Sequence, residues 1–247
     1  MKKLITLFVF TATLLSILSF SFSGKRKLPS QGKLIINFKN YVGNKILKLD
    51  SSIYKNEAGQ TFSVTNFKYY VGNFHLVRKD GNEFISSNYF LIKEDDEQSK
   101  QIILNNIPEG EYVSCNFIVG VDSIHNCSGA QSGALDPVNG MFWAWNTGYI
   151  FMKLEGKSSA SNSPGHIFEF HIGGYKQPSN CIRTISLPIN KLIIYPDKPS
   201  SIEIKADANE VMKTPTNIDL SKLSSVTDFH NATIIADNYK DMFKINK

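Results

Sequence analysis

Short runs in which apolar and polar residues alternate, each closed by a turn cluster, constrain this chain more than any other feature. They fall at 34–38, 62–77, 89–92, 102–104, 113–119, 167–172, 182–187, 192–195 and 202–204, with the period of two that half-buried strands require. Within 62–77 the alternation places Tyr70, Phe74 and Leu76 on one face. Asp80-Gly81-Asn82, Pro108-Glu109-Gly110, Asn139-Gly140 and Pro196-Asp197 supply turn chemistry between the runs. Helical spacing occurs only in the tail. There Ile235, Tyr239, Met242 and Phe243 recur and Asn231 is available as an N-cap, so a helix is expected over 231–243. Strands without alternating helices disfavour a doubly wound or barrel α/β fold. The expectation is an all-β chain: one β-sandwich, Greek-key or immunoglobulin-like in general architecture, with a short C-terminal helix.

Of the 247 residues, 42% are hydrophobic, enough for a packed core, and 17 Phe and 10 Tyr against 2 Trp favour strands. The formal charge of +5 sits at the N-terminus, where Lys2, Lys3, Lys25, Arg26 and Lys27 account for all of it. The body from Leu28 onward is neutral, which disfavours a nucleic-acid binder, since that class carries its positive charge on the folded domain. Met1-Lys2-Lys3, the uncharged run over 4–22 and Ser21-Phe22-Ser23 read as a signal peptide over 1–23, cut before Gly24. An uncleaved anchor is the alternative, because an apolar run of about twenty residues just spans a bilayer. Either way the chain is exported, with a flexible basic linker expected over 24–32 and the folded domain over 33–247. After cleavage no stable membrane insertion is expected.

Three cysteines in an exported chain allow at most one internal disulfide. Cys115 shares a strand face with Val113, Phe117 and Val119 and reads as a small core residue. Cys127 and Cys181 stand in polar, turn-like contexts and form the candidate pair. No Cys/His pair has zinc spacing. Asn126-Cys127-Ser128 matches a glycosylation sequon, relevant only in a eukaryotic secretory route.

No nucleophile elbow, phosphate-binding loop or zinc-protease motif is present, and no acid/base pair is placed by the sequence. The informative stretch is Met141-Phe142-Trp143-Ala144-Trp145-Asn146-Thr147-Gly148-Tyr149, which holds both tryptophans. On a strand Met141, Trp143 and Trp145 share a face, whereas on a helical turn Met141 sits over Trp145. Either geometry sets a soft sulfur beside an indole, and either also suits an ordinary aromatic core plug. The second stretch is His166-Ile167-Phe168-Glu169-Phe170-His171-Ile172-Gly173-Gly174. Alternation puts His171 with Glu169 and opposite to His166, and the two glycines open space around the His171 ring. A strand-end histidine is commonly just a hydrogen-bonded structural residue. His75 is a possible third contributor, while His125 and His230 read as surface residues. Asp122 and Asp136 read as turn residues that bond their own backbone.

The tryptophan segment followed by Lys153-Leu154-Glu155-Gly156, then His171-Ile172-Gly173-Gly174, resembles the copper-binding MbnP-like domain family. Phe67-Lys68-Tyr69-Tyr70-Val71-Gly72-Asn73-Phe74, Gly120-Val121-Asp122-Ser123 and the tail over 235–243 support the resemblance, which runs over nearly the whole chain from about residue 33. It implies an exported β-sandwich of the bacterial periplasm or cell surface that handles copper. It further implies oxidation of a tryptophan, here Trp143 or Trp145, to kynurenine by a di-haem MauG-like oxidase, and imidazole ligation by His171. The cysteine pattern departs from relatives with a local disulfide, since Cys181 has no close second Cys. Imidazole and the Met141 thioether suit Cu(I), and Glu155 and Glu169 are candidate acceptors that would orient an imidazole. The leading expectation is a non-catalytic copper-binding protein of copper acquisition or homeostasis. The alternative is a β-sandwich module that binds a carbohydrate or protein partner without metal, using exposed tryptophans as a stacking platform.

Overall fold

The computed structural model describes residues 30–143, 148–229 and 231–246. The expected signal peptide, most of the expected linker, Trp145 and His230 lie outside those residues. In chain order the strands and helices are β1 (Gln31–Val42), β2 (Lys45–Ile46), β3 (Tyr54–Lys55), β4 (Thr61–Arg78), β5 (Glu83–Lys93), β6 (Gln101–Pro108), β7 (Gly110–Val119), α1 (Ser123–Cys127), β8 (Phe142–Trp143), β9 (Gly148–Lys157), β10 (Ile167–Gly173), β11 (Arg183–Ile194), β12 (Ser200–Asp207), β13 (Ser225–Val226), α2 (Ala232–Tyr239) and β14 (Phe243–Ile245). β1 begins two residues ahead of the expected boundary because Gln31 and Gly32 pair with Pro108 and Ile107 of β6.

The strands build the sandwich that the alternation demands. One sheet runs β14-β12-β1-β2, with β6 also on β1, and the other runs β11-β7-β4-β9-β10-β13, with β3 and β5 on β4 and β8 on β9. Pairing is mixed, since β1 with β12 and β10 with β13 run parallel. Leu34, Ile36 and Phe38 alternate inward from β1 and are buried. Between the sheets the Phe38 ring meets Tyr69 of β4 at 6.2 Å, Phe117 of β7 at 6.1 Å and Phe243 of β14 at 6.4 Å, each edge-on. Edge-to-face geometry suits the ring quadrupoles and adds to the area term.

β4 breaks the simple alternation. Asn73 has φ +50°, and the β4 register shifts there against both β5 and β7. The extra residue sends Phe74 into the core, stacked on Phe117 at 5.3 Å. Tyr70 instead turns to the other face, where its hydroxyl donates to the Ala134 carbonyl at 2.9 Å. Tyr70 and Phe74 therefore do not share the face that the sequence assigns them.

β7 pairs with β4 over 71–78 and β9 pairs with it over 63–69. Val119 lies opposite Val71 and Met152 opposite Tyr69, so the segment between these strands leaves and returns at the middle of β4. It folds over the outer face of the large sheet. Tyr70 packs edge-on to Tyr149 at 5.8 Å, and Tyr149 to Phe142 at 5.1 Å. The Tyr149 hydroxyl donates to the Leu135 carbonyl at 2.7 Å.

The C-terminal helix is shorter than expected. α2 ends at Tyr239, a 3-10 turn follows over Lys240–Met242, and Phe243 starts β14 by pairing with Ala206. Asn231 makes no side-chain cap bond. The Cys127–Cys181 disulfide is not formed: all three cysteines are free, with Cys127 exposed and Cys115 and Cys181 buried. Cys127 Sγ instead sits 3.4 Å from the Tyr175 hydroxyl. Burial pushes the Cys115 and Cys181 thiols up to about 12, so both stay protonated. Phe38→Ala should cost about 3–5 kcal/mol in urea unfolding. Ile53→Ala, at an exposed apolar residue, should change stability by less than about 0.5 kcal/mol. A comparably small loss for Phe38→Ala would mean that the sheets do not pack around that ring.

Candidate functional site

β10 sends Phe168, Phe170 and Ile172 into the core and turns Glu169 and His171 outward. In register, His171 stands opposite Lys153 and Glu169 opposite Glu155. The imidazole nevertheless reaches diagonally, placing Nε2 at 2.6 Å from Glu155 Oε1, a contact that residues two apart across a ladder permit. Asn66 Nδ2 donates to the other carboxylate oxygen at 3.1 Å. The His171 bond, working against burial and helped by Asn66, holds the Glu155 carboxyl below its ordinary range. An ionised carboxylate only accepts, so Nε2 carries a proton, and the tautomer this selects has its lone pair on Nδ1. No described residue bonds Nδ1. Burial meanwhile lowers the neighbouring Lys153 ammonium. Glu169 does not orient His171; it accepts from the Ser225 hydroxyl at 3.2 Å.

The other histidines lie elsewhere. His166 sits in a turn, with Nδ1 2.9 Å from the Ser161 carbonyl. His75 faces Glu83 at 3.7 Å, on the half of β4 that pairs with β5 and β7 rather than with β9. It is not brought to His171. His125 belongs to α1 rather than to an open loop: its Nδ1 is 2.8 Å from Asp122 Oδ1, and its ring meets Tyr89 edge-on at 4.8 Å. Asp122 caps α1 by accepting from the His125 amide at 2.9 Å, and Asp136 accepts from the Val138 amide at 2.9 Å. Both bear out the turn-residue reading.

Trp143 is buried, at 5% exposure. β8 pairs with the start of β9 through Phe142–Tyr149 and Trp143–Gly148. The indole lies against Gly173, where a Cβ would come within 2.6 Å of Cζ3 and 2.9 Å of Cη2. Its ring also meets Phe229 edge-on at 5.6 Å. The space beside Gly173 is therefore filled by Trp143, and that beside Gly174 by Phe229 and the Ser179 carbonyl. Gly173 follows His171 by two residues, just past the point where the β9–β10 register shifts between Ile172 and Gly173. The described residues thus carry an oriented imidazole and the glycine that seats a buried indole two residues apart on β10. Met141 is buried as well, its carbonyl accepting from the Ile150 amide at 2.9 Å. With Trp143 enclosed, it offers no flat surface on which a sugar could stack.

Beside the indole is a cavity of about 340 Å³ that Asn126, Tyr149, Tyr175 and Phe229 help to line. The sequence marks Asn126 only as part of a glycosylation sequon and gives no sign of Phe229. Asn126 is buried and fully used: Oδ1 accepts from the Tyr149 amide at 2.9 Å, and Nδ2 donates to the Val121 and Asp122 carbonyls. A glycan on this sequon would replace one of the two Nδ2 donors at a buried side chain. Phe229 carried no pattern that could have marked it. Among the described residues no group of three or more His, Cys, Asp or Glu side chains is placed to hold a metal ion. The His171 ring, with its tautomer set by Glu155, fits the role of a single ligand.

Gly173→Ala would press its Cβ against the Tyr149 carbonyl oxygen at 2.5 Å as well as the indole, and should displace both, costing about 1–3 kcal/mol and raising acrylamide quenching of Trp143 in a Trp145→Phe background. Gly129→Ala, at a position with nothing near its added Cβ, should leave the quenching unchanged. Unchanged quenching in Gly173→Ala would contradict the packing. The Glu155 contribution carries a pH signature. Its lowered carboxyl stabilises the fold above the ordinary carboxylate value of 4.5 and loses that contribution as pH falls through the lowered one. The stability gap between the parent and Glu155→Gln should therefore narrow from neutral pH towards about pH 3; a gap independent of pH in urea unfolding would refute the hydrogen bond to the ionised carboxylate.

None of the curated proteins compared with the chain matches it. Among solved structures, MbnP from Methylosinus trichosporium is similar, with a TM-score of 0.51 at 15% identity over 77% of this chain and 80% of that one. At that identity the likeness speaks for the fold. The model of the MbnP family matches residues 31–230, a span that takes in the tryptophan segment, Glu155 and His171. The chain belongs to the MbnP family.

Proposed function

We propose that this MbnP-family chain is an exported, non-catalytic protein that binds copper, as Cu(I), through His171. The observation that carries the reading is the His171–Glu155 pair. It fixes the ring and its tautomer and leaves Nδ1 as a lone pair, as a carboxylate behind a metal-bound imidazole does. Cu(I) accepts few, soft donors, and imidazole and thioether both qualify. Met141 and the tryptophans of the same segment are the remaining donors in this reading. An indole N–H only donates and cannot ligate. Oxidation of Trp143 or Trp145 to kynurenine would supply an aniline nitrogen and a carbonyl in its place. The chain has no haem motif or paired redox cysteines, so the oxidant is an external partner, in this reading a di-haem MauG-like enzyme. Residues 1–23 carry the chain to the periplasm or cell surface, and copper acquisition or homeostasis is its role there.

Competition titration with a Cu(I) chelator tests the ligand. His171→Ala should abolish tight binding, and Glu155→Gln should weaken it about 10–100-fold by freeing the ring. His166→Ala should leave it unchanged. Equal loss in His166→Ala and His171→Ala, with folding intact, would overturn the assignment. Peptide mass mapping of copper-loaded protein from its native host should find kynurenine at Trp143 or Trp145, and two unmodified indoles would remove the oxidation step.

A further inference from the structure

The β1–β2 turn, the β3–β4 hairpin and the 3-10 turn that follows β12 line one cavity of about 380 Å³, within the range of roughly 300–1,000 Å³ that small-molecule sites occupy. One carboxylate organises it. Asp207 Oδ1 accepts from the Gly43 amide at 2.7 Å and from the Asn209 backbone amide at 3.1 Å. Lys205 Nζ donates to the Gly43 carbonyl at 2.7 Å, so the β1–β2 turn is tied to β12 through both sides of Gly43. Tyr54, also in the lining, is buried, and its hydroxyl accepts from the Lys48 amide at 2.8 Å. These bonds hold the walls in place without a ligand.

Asn209 is the group that the fold leaves unpaired. It lines the cavity at 9% exposure, yet its Oδ1 makes no hydrogen bond and its Nδ2 bonds no described residue. A buried amide without partners costs free energy that a ligand recovers by bonding it. A hydroxyl both donates and accepts, so it can serve either end of the amide. The other walls say what carries that hydroxyl. Ile53, at 65% exposure, and the Tyr54 ring offer apolar surface, and the Ile53 part of it is uncovered. Lys45 and Lys55 are exposed charged residues of the lining, and no described acidic residue lines the cavity. Neither lysine has an ion-pair partner among the described residues. On the flanking elements, Asp207 is engaged by Gly43 and Asn209, and Glu57 pairs with Lys213 at 3.4 Å. The cavity thus keeps an uncompensated positive charge.

We propose that this cavity binds a short-chain hydroxycarboxylate, such as a sugar acid. A hydroxyl pairs with the Asn209 amide, the carboxylate meets Lys45 and Lys55, and the carbon chain rests on Tyr54 and Ile53. An amino acid suits the site less, because its ammonium would face two lysines with no acid to hold it. The proposal stands apart from the copper reading, since the cavity shares no residue with the His171 site.

NMR titration of the isotope-labelled protein with D-gluconate as probe tests it. Gluconate should shift the Asn209 side-chain amide and the Gly43 and Lys55 backbone amides saturably. Hexanoate keeps the carboxylate without hydroxyls, and sorbitol keeps hydroxyls without the carboxylate; each should bind at least about tenfold more weakly. Asn209→Ala should weaken gluconate binding by about tenfold, and it removes no bond that the fold makes through that side chain. The double variant Lys45→Glu/Lys55→Glu should also weaken binding by about tenfold or more, and it keeps the test valid if Asn209→Ala fails to fold. Added salt should weaken binding to the parent, while His171→Ala should leave it unchanged. Absence of saturable shifts, equal binding of hexanoate, or unchanged affinity in Asn209→Ala would overturn the proposal. So would equal shifts with sulfate, because they would reduce the cavity to a general anion site.

Discussion

The arrangement depends on one constraint: β4, at eighteen residues, is longer than any single neighbour can match. β7 serves its second half and β9 its first. The chain between them must leave the sheet and come back at the middle of β4. That excursion carries α1, Met141 and Trp143, so the candidate site is a consequence of how the sheet is filled. Burying Tyr70 and Tyr149 beneath it anchors the excursion, and burial of rings of this size is the largest stabilising contribution available to such a segment.

The same excursion couples packing to chemistry. Trp143 can settle on the sheet only where a side chain is missing, and Gly173 provides that place. Gly173 follows His171 by two residues, so the strand that seats the indole also carries the imidazole. The Glu155 bond then sets which ring nitrogen is available. Each step is short-range, yet together they join β8, β9 and β10.

Of the three carboxylate–imidazole pairs among the described residues, the two close ones, Asp122–His125 and Glu155–His171, are separated in role by their surroundings. Burial pushes the Asp122 carboxyl up, but the backbone amide and ring of His125, the Tyr89 hydroxyl and Asn73 outweigh it and hold it at about 2. Those bonds tie α1 to β4 and β5, including Tyr89 Oη to Asp122 Oδ2 at 2.8 Å. Asp122 is thus consumed in structure. Glu155 receives only Asn66 and His171, and His171 is two residues from the glycine that seats Trp143, so that pair is the one read as a ligand and its support.

Alternation along the strands determined the sandwich, the core faces of β1 and β10, and the outward turn of His171 with Glu169. The tryptophan segment and the His171-Ile172-Gly173-Gly174 run were enough to mark the family. What the sequence did not carry depends on register and on what covers a face. The extra residue at Asn73 separates Tyr70 from Phe74, and no local pattern announces it. Glu155 rather than Glu169 meets His171 because the contact is diagonal between β9 and β10, and only the pairing of those strands decides that. The glycine gap is filled by Trp143, from a segment thirty residues earlier in the chain. Side-chain periodicity encodes which way a residue points, a local property of the backbone; which residue it meets is a property of the packed sheets, and only the tertiary structure decides it.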